Sequence, residues 1–234
     1  IFFLKIWYTR FNQLNESEDI KMDILETMKA RHSVRQYKNQ AIESSKREKI
    51  NALIKDVNAE SKLSIQVFYD EPKCFDSFMA HYGKFENVKN YIAIVGNKND
   101  QEKAGYYGEK IVLKCQKLGL NTCWVAMTHG KSKAQIKRGQ KLLIIISLGY
   151  GETQGVPHKS KSIAELGQAD QKNEWFEKGM EAVSLAPTAV NQQKFYFELK
   201  NGIVTAKNLG GFYSRIDLGI VKYHFEAVTG HEVK

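Results

Sequence analysis

Apolar side chains recur at helical spacing in several separate stretches, and short β-rich runs lie between them. Ile24, Leu25 and Met28 predict a helix over Asp23 to Ala30, and Ile50, Leu53, Ile54 and Val57 predict another over Glu43 to Asn58. Ile111, Val112, Cys115 and Leu118 do the same for Gly105 to Leu118, which Gly119-Leu120-Asn121 ends. Further helices are expected over Asn173 to Leu185 and from about Ser214 to Val228. The runs Ile65–Tyr69, Tyr91–Val95, Asn121–Ala126 and Phe195–Leu199 read as strands. Gly202 to Lys207 is a further strand, joined to the preceding one by a tight turn at Asn201-Gly202. Lys141 to Tyr150 has a continuous apolar centre, the mark of a strand buried in the middle of a sheet. Glu152 to Lys161 reads as loop. The mixture is α+β.

A weak echo runs through this order. Helix Glu43–Asn58 is followed by Ser64 to Phe68, and helix Asn173–Leu185 by Gln192 to Phe197. Each arm later meets an amphipathic helix, Gly105–Leu118 or Ser214–Val228. Two related halves in one chain can bury a shared core as a homodimer does, although helix–strand pairs are common enough to recur by chance.

With 234 residues the chain has room for one large or two small domains. No apolar run approaches the ~20 residues that span a bilayer, so no membrane association is expected. The net charge of +9 is compatible with nucleic acid, anionic lipid or an anionic cofactor. The lysines and arginines are scattered, with no zinc-finger spacing or arginine-rich arm, so nucleic acid is not the expected partner. Cys74, Cys115 and Cys123 form no CxxC pair, which suits a reducing cytoplasm. Residues 1–21 open on an apolar run that makes a poor signal peptide. They read as an extension outside the working fold, or as an amphipathic arm packed on it.

Three segments carry candidate chemistry. Arg31-His32-Ser33-Val34-Arg35 lies where a helix gives way to extended chain. Its guanidinium forks and hydroxyl suit phosphate oxygens, although cations at a helix C-terminus are routine. Ala186-Pro187-Thr188-Ala189-Val190-Asn191-Gln192 follows a helix that Pro187 stops, and its amides can match the edge of a flat heterocycle. Gly149-Tyr150-Gly151 lets backbone approach a ligand closely, and Lys159 and Lys161 follow it.

Together and in this order the three resemble the nitroreductase family of FMN-dependent oxidoreductases, over roughly residues 22–230. The stretch from Arg31 to Tyr37 resembles the family's phosphate- and ribityl-binding segment, and Ala186 to Gln193 resembles the segment that packs on the isoalloxazine. Gly119-Leu120-Asn121-Thr122 resembles its Gly-Leu-Gly-Thr strand. The resemblance implies a nitroreductase-like mixed sheet flanked by helices, and FMN held by Arg31, His32, Ser33, Arg35, Ala126, Lys159, Lys161, Pro187, Thr188, Ala189, Asn191 and Gln192. It also implies NADH or NADPH as electron donor, a small acceptor such as a nitroaromatic or quinone, ping-pong hydride transfer, and no catalytic side chain beyond the flavin.

The chain departs from the family in order. The Ala-Pro-Thr segment comes after the Gly-Tyr strand, and Asn58 to Ser64, in its usual place, lack the Pro and the Asn that follows it in the motif. A fused pseudo-dimer accounts for this. Residues 22–165 would supply the phosphate side and 166–234 the ring side, in a monomer or a weak homodimer. Flavin storage or a specialised flavin dehydrogenase on the same fold is the alternative. A phosphate- or nucleotide-binding module without redox chemistry is the alternative from another class.

Overall fold

The computed structural model describes residues 23–234; the reading of 1–21 as an extension lies outside them. The chain runs α1 (Ile24–Ala30), α2 (Ser44–Ser61), β1 (Ser64–Phe68), α3 (Phe78–Tyr82), β2 (Asn90–Gly96), α4 (Gln101–Lys117), β3 (Asn121–Val125) and β4 (Lys141–Gly149). It continues through α5 (Ile163–Leu166), β5 (Gly167–Ala169), α6 (Glu174–Ser184), β6 (Phe195–Lys200), β7 (Ile203–Asn208) and α7 (Ser214–Thr229).

The first sheet has the order β1-β2-β4-β3, with every neighbouring pair antiparallel. The apolar run in β4 therefore sits inside the sheet, and all seven residues of β2 beside it are buried. The second sheet, β5-β6-β7, pairs β5 parallel to β6 and β6 antiparallel to β7. Helices α2 and α4 pack on the first sheet, while α6 packs on α7 and α7 touches β6 and β7. One core joins both parts: Ile92, Ile94 and Ile111 belong to the same buried cluster as Phe176, Phe197 and Phe225.

Helix α4 packs on α7, the most extensive helix–helix contact among the described residues. Glycine makes it close. A Cβ on Gly105 would stand 2.0 Å from the Ile216 carbonyl oxygen and 3.1 Å from the Ile220 nitrogen. One on Gly219 would stand 1.9 Å from the Glu102 carbonyl oxygen and 2.7 Å from the Tyr106 nitrogen. The contact is reciprocal: one shift in numbering carries Glu102, Gly105 and Tyr106 onto Ile216, Gly219 and Ile220.

Gly149 and Gly151 serve packing. A Cβ on Gly149 would meet the Tyr37 ring at 2.9 Å. The Gly151 N–H donates to Asn121 Oδ1 at 2.9 Å. Neither glycine has a positive φ, and neither lines the cavity that Ser33, Arg35 and Pro187 to Val190 share.

Candidate functional site

After α1 the chain becomes extended at Arg31 (φ −75°, ψ 115°). Side chains of an extended segment alternate in direction. Val34 and Tyr37 anchor it in the second core cluster, and Tyr37 Oη bonds to the Val34 carbonyl and Ser147 Oγ, both at 2.7 Å. The Val34 N–H donates to the Thr122 carbonyl at 3.0 Å, which lays the segment beside β3. Ser33 and Arg35, of opposite parity to Val34, line a cavity of about 470 Å³. This is within the ~300–1,000 Å³ usual for small-molecule sites.

The other wall comes from more than 150 residues away. Helix α6 ends before Pro187, and Pro187, Thr188, Ala189 and Val190 line the same cavity. The chain there takes left-handed backbone at Val190 (φ 46°), Asn191 (φ 53°) and Gln193 (φ 45°). Such a φ is an outlier for a β-branched residue, and Val190 is also 86% exposed. Strained residues of this kind persist where surroundings over-determine them, and here they do. The Ala189 N–H donates to Asp217 Oδ1 at 2.9 Å and Gln192 Nε2 to Asp217 Oδ2 at 2.7 Å. From behind, Asn191 Nδ2 and Gln193 Nε2 donate to the Lys159 carbonyl, and Lys161 Nζ donates to the Gln193 carbonyl.

The structure thus brings Ser33, Arg35, Ala126, Pro187, Thr188 and Ala189 together on one cavity. The remaining expected ligands do not line it. Lys159, Lys161, Asn191 and Gln192 brace the wall, and His32 Nδ1 faces the Gln154 carbonyl at 3.2 Å. Arg31 is 4% exposed and lies 3.8 Å from Glu109 of α4. Its Nη2 reaches the Leu185 carbonyl at 3.4 Å, tying the first segment to the second beneath the cavity floor.

Glu109 is the hub of that floor. It accepts from His224 Nε2 of α7 at 3.0 Å and from Trp124 Nε1 at 3.0 Å. His224 Nδ1 faces the Ala182 carbonyl at 2.8 Å. Burial alone pushes the Glu109 carboxyl up, but the His224 hydrogen bond and charge, the Arg31 charge and the Trp124 hydrogen bond outweigh it and hold it below its ordinary value. Trp124 lines the cavity, so the buried cluster fixes the orientation of a cavity side chain.

Several cavity residues escaped sequence reasoning. Tyr82, Gly83 and Lys84 follow from α3, and Phe212, Tyr213 and Asp217 from the entry to α7. Among the described residues there is no His/Cys/Asp/Glu group able to hold a metal ion and no helix long and apolar enough to cross a membrane.

Two sheets flanked by helices, with a cavity between distant segments, form an architecture that solved nitroreductases share. A structure described as a putative nitroreductase of Thermotoga maritima superimposes with a TM-score of 0.65 at 24% identity, over 88% of this chain and 83% of that one. A putative nitroreductase of Desulfovibrio desulfuricans in complex with FMN gives 0.49 at 15% identity, over 62% and 95%. A putative NADH dehydrogenase/NAD(P)H nitroreductase of Bacteroides thetaiotaomicron gives 0.48 at 18%, over 64% and 98%. No curated protein sequence matches. The family model described as "Putative TM nitroreductase" matches residues 23–229, and the chain belongs to that family, which makes it an oxidoreductase of the nitroreductase type.

Proposed function

We propose that the cavity holds one FMN per chain and that the protein passes electron pairs from NADH or NADPH to a small oxidised acceptor such as a quinone or nitroaromatic. The observation that carries this reading is the two-sided wall. Ser33 and Arg35 reach the cavity from the first segment, and Pro187 to Val190 reach it from the second.

The residues present fit the cofactor. Arg35 and Lys84 offer cations to a terminal phosphate, and Ser33 a hydroxyl. Ile216, Ile220, Pro187 and Trp124 give an apolar surface for a flat ring system, and Ala126 lines the same cavity, where its backbone would bond the ring edge. No GxGxxG fingerprint exists to hold the adenine half of a dinucleotide cofactor. Bound there, FMN would supply the hydride chemistry. The protein's part is to position the ring, exclude water beneath it and set the charge around it. Residues 22–165 would then contribute the phosphate side and 166–234 most of the ring side. The reciprocal α4–α7 contact supports reading these as two fused, related halves.

The test is direct. The purified protein is expected to be yellow, and heat-released flavin to run as FMN on chromatography. Reduced nicotinamide should bleach it and an acceptor restore it. Recovery of FAD, or no flavin after reconstitution, would overturn the assignment.

A further inference from the structure

Among the described residues, Asp217 is the only carboxyl group that lines the cavity. It sits in the first turn of α7 and is 4% exposed. Two neutral donors hold it, the Ala189 N–H on Oδ1 and Gln192 Nε2 on Oδ2. Gln192 is fixed in turn, since the same Nε2 also donates to the Phe212 carbonyl at 2.7 Å. A carboxylate has about four lone-pair sites over its two oxygens. The two donors account for two of them, so acceptor capacity remains for a group in the cavity.

We propose that Asp217 is the general acid that protonates the acceptor as it is reduced. This rests on reading the cavity as a flavin site. In the step, a conjugated carbonyl or quinone takes a hydride from the reduced flavin, forming a new C–H or O–H bond at one end. The π electrons shift along the conjugated system, and the far carbonyl π bond opens onto its oxygen. That oxygen takes the proton from the Asp217 carboxyl. Asp217 is left as carboxylate and regains a proton from solvent. The acceptor gains two electrons and two protons, and the flavin returns to its oxidised form.

The environment suits the task. Burial raises the Asp217 carboxyl to about 6, against the opposing pull of its Gln192 and Ala189 hydrogen bonds. A general acid works best when it titrates near the working pH. The loop 187–193 packed against it carries no ionisable side chain. The other ionisable groups around it are Tyr213 on the adjoining turn, Arg215 beside it, Arg35, Lys84, Tyr82 and Cys123 on the cavity wall, and Glu102, Lys103 and Tyr106 on the facing end of α4. The last three have other partners: Lys222, Asp100 and Glu226. The Ser33, Thr128 and Thr188 hydroxyls on the same wall ionise too weakly to share this role.

The experiment separates the two half-reactions by stopped flow, using the FMN absorbance of the purified holoprotein and menadione as acceptor. Reoxidation by menadione in wild type should fall about tenfold per pH unit above the Asp217 midpoint. Asp217→Asn should slow reoxidation by about 10²-fold or more and remove the pH dependence, while bleaching by reduced nicotinamide changes far less. Independently of flavin turnover, the ¹³C carboxyl resonances of Asp-labelled wild-type protein should include one that titrates near pH 6. If Asp217→Asn does not fold, the wild-type pH profile and carboxyl titration decide alone. PH-independent reoxidation, no aspartate titrating near 6, or a folded Asp217→Asn variant reoxidised at the wild-type rate would each overturn the assignment with the flavin reading intact. A protein that binds no flavin would overturn both.

Discussion

Replacing Gly219 by Ala tests whether the α4–α7 contact sets the geometry of the site. The new methyl would start 1.9 Å from the Glu102 carbonyl oxygen, where ordinary contact begins at 3.4 Å. The obstacle is backbone, so no side chain can swing aside, and the two helices must part by on the order of 1.5 Å, the dispersion contacts along the interface thinning as they do. Overpacking of this kind costs typically ~1–3 kcal/mol. The greater helix propensity of Ala returns about 1 kcal/mol of that. Because rigid backbone places the strain at the upper end, we expect a net loss of about 2 kcal/mol. For a domain of this size that is a fall in Tm of roughly 4–8 °C, measured by far-UV circular dichroism. Gly105→Ala should behave alike. The double variant should lose less than the sum of the two, because one separation of the helices relieves both clashes. Flavin retention should fall in step, since Ile216, Asp217 and Ile220 of α7 line the cavity. A Gly219→Ala protein as stable as wild type, or strict additivity in the double variant, would refute the argument.

Arg35→Ala should lower FMN affinity about 10- to 100-fold through loss of one charge-assisted contact worth ~1.5–3 kcal/mol, read by flavin fluorescence titration; unchanged affinity would remove Arg35 from the site. Arg31→Ala should act on the fold instead, lowering the urea midpoint through loss of one of the two buried charge partners of Glu109, which keeps His224 and Trp124, at a cost of ~1–3 kcal/mol. Flavin loss in Arg31→Ala without any fall in that midpoint would argue against its place in the floor. The Glu109 carboxyl is depressed in the folded protein. The stability it contributes is therefore complete above its ordinary value of 4.5 and is lost as pH falls through the folded value. Glu109→Gln should accordingly be less stable at neutral pH and lose less on acidification, by urea titration across pH 3–7. Flavin absorbance against independently counted protein should give one FMN per chain, and a value near two would defeat the pseudo-dimer reading.

The long elements were legible because their periodicity is sustained. The apolar face of α2 and the continuous run in β4 each leave one sensible burial, and the structure buries both. Helix α3 was missed because five residues cannot display a period. Its pair of exposed aromatics, Phe78 and Tyr82, resembles a loop more than an amphipathic face. The loss mattered, since Tyr82, Gly83 and Lys84 form part of the cavity wall. Asp217 was hidden for the opposite reason. It lies on a helix whose periodicity is clear, where a polar residue in the first turn reads as an ordinary N-terminal carboxylate.

The division among the candidate residues follows from what a motif records. Residue types at fixed spacing say which chemistry is near, but not which side of the local backbone each group faces. In the extended segment after α1, alternation separates Ser33 and Arg35 from Val34. Arg31 shares their parity, yet its side chain goes inward. The reason lies outside the segment: Glu109 of α4, placed beside His224 of α7, offers a buried countercharge that no exposed phosphate site would match in permanence. The same holds for Asn191 and Gln192, whose amides meet the Lys159 carbonyl and Asp217 and thereby hold Pro187 to Val190 against the cavity. In both segments some of the candidate residues serve packing, and their neighbours in sequence line the cavity. Assigning them required the α4–α7 crossing, a contact between stretches more than a hundred residues apart.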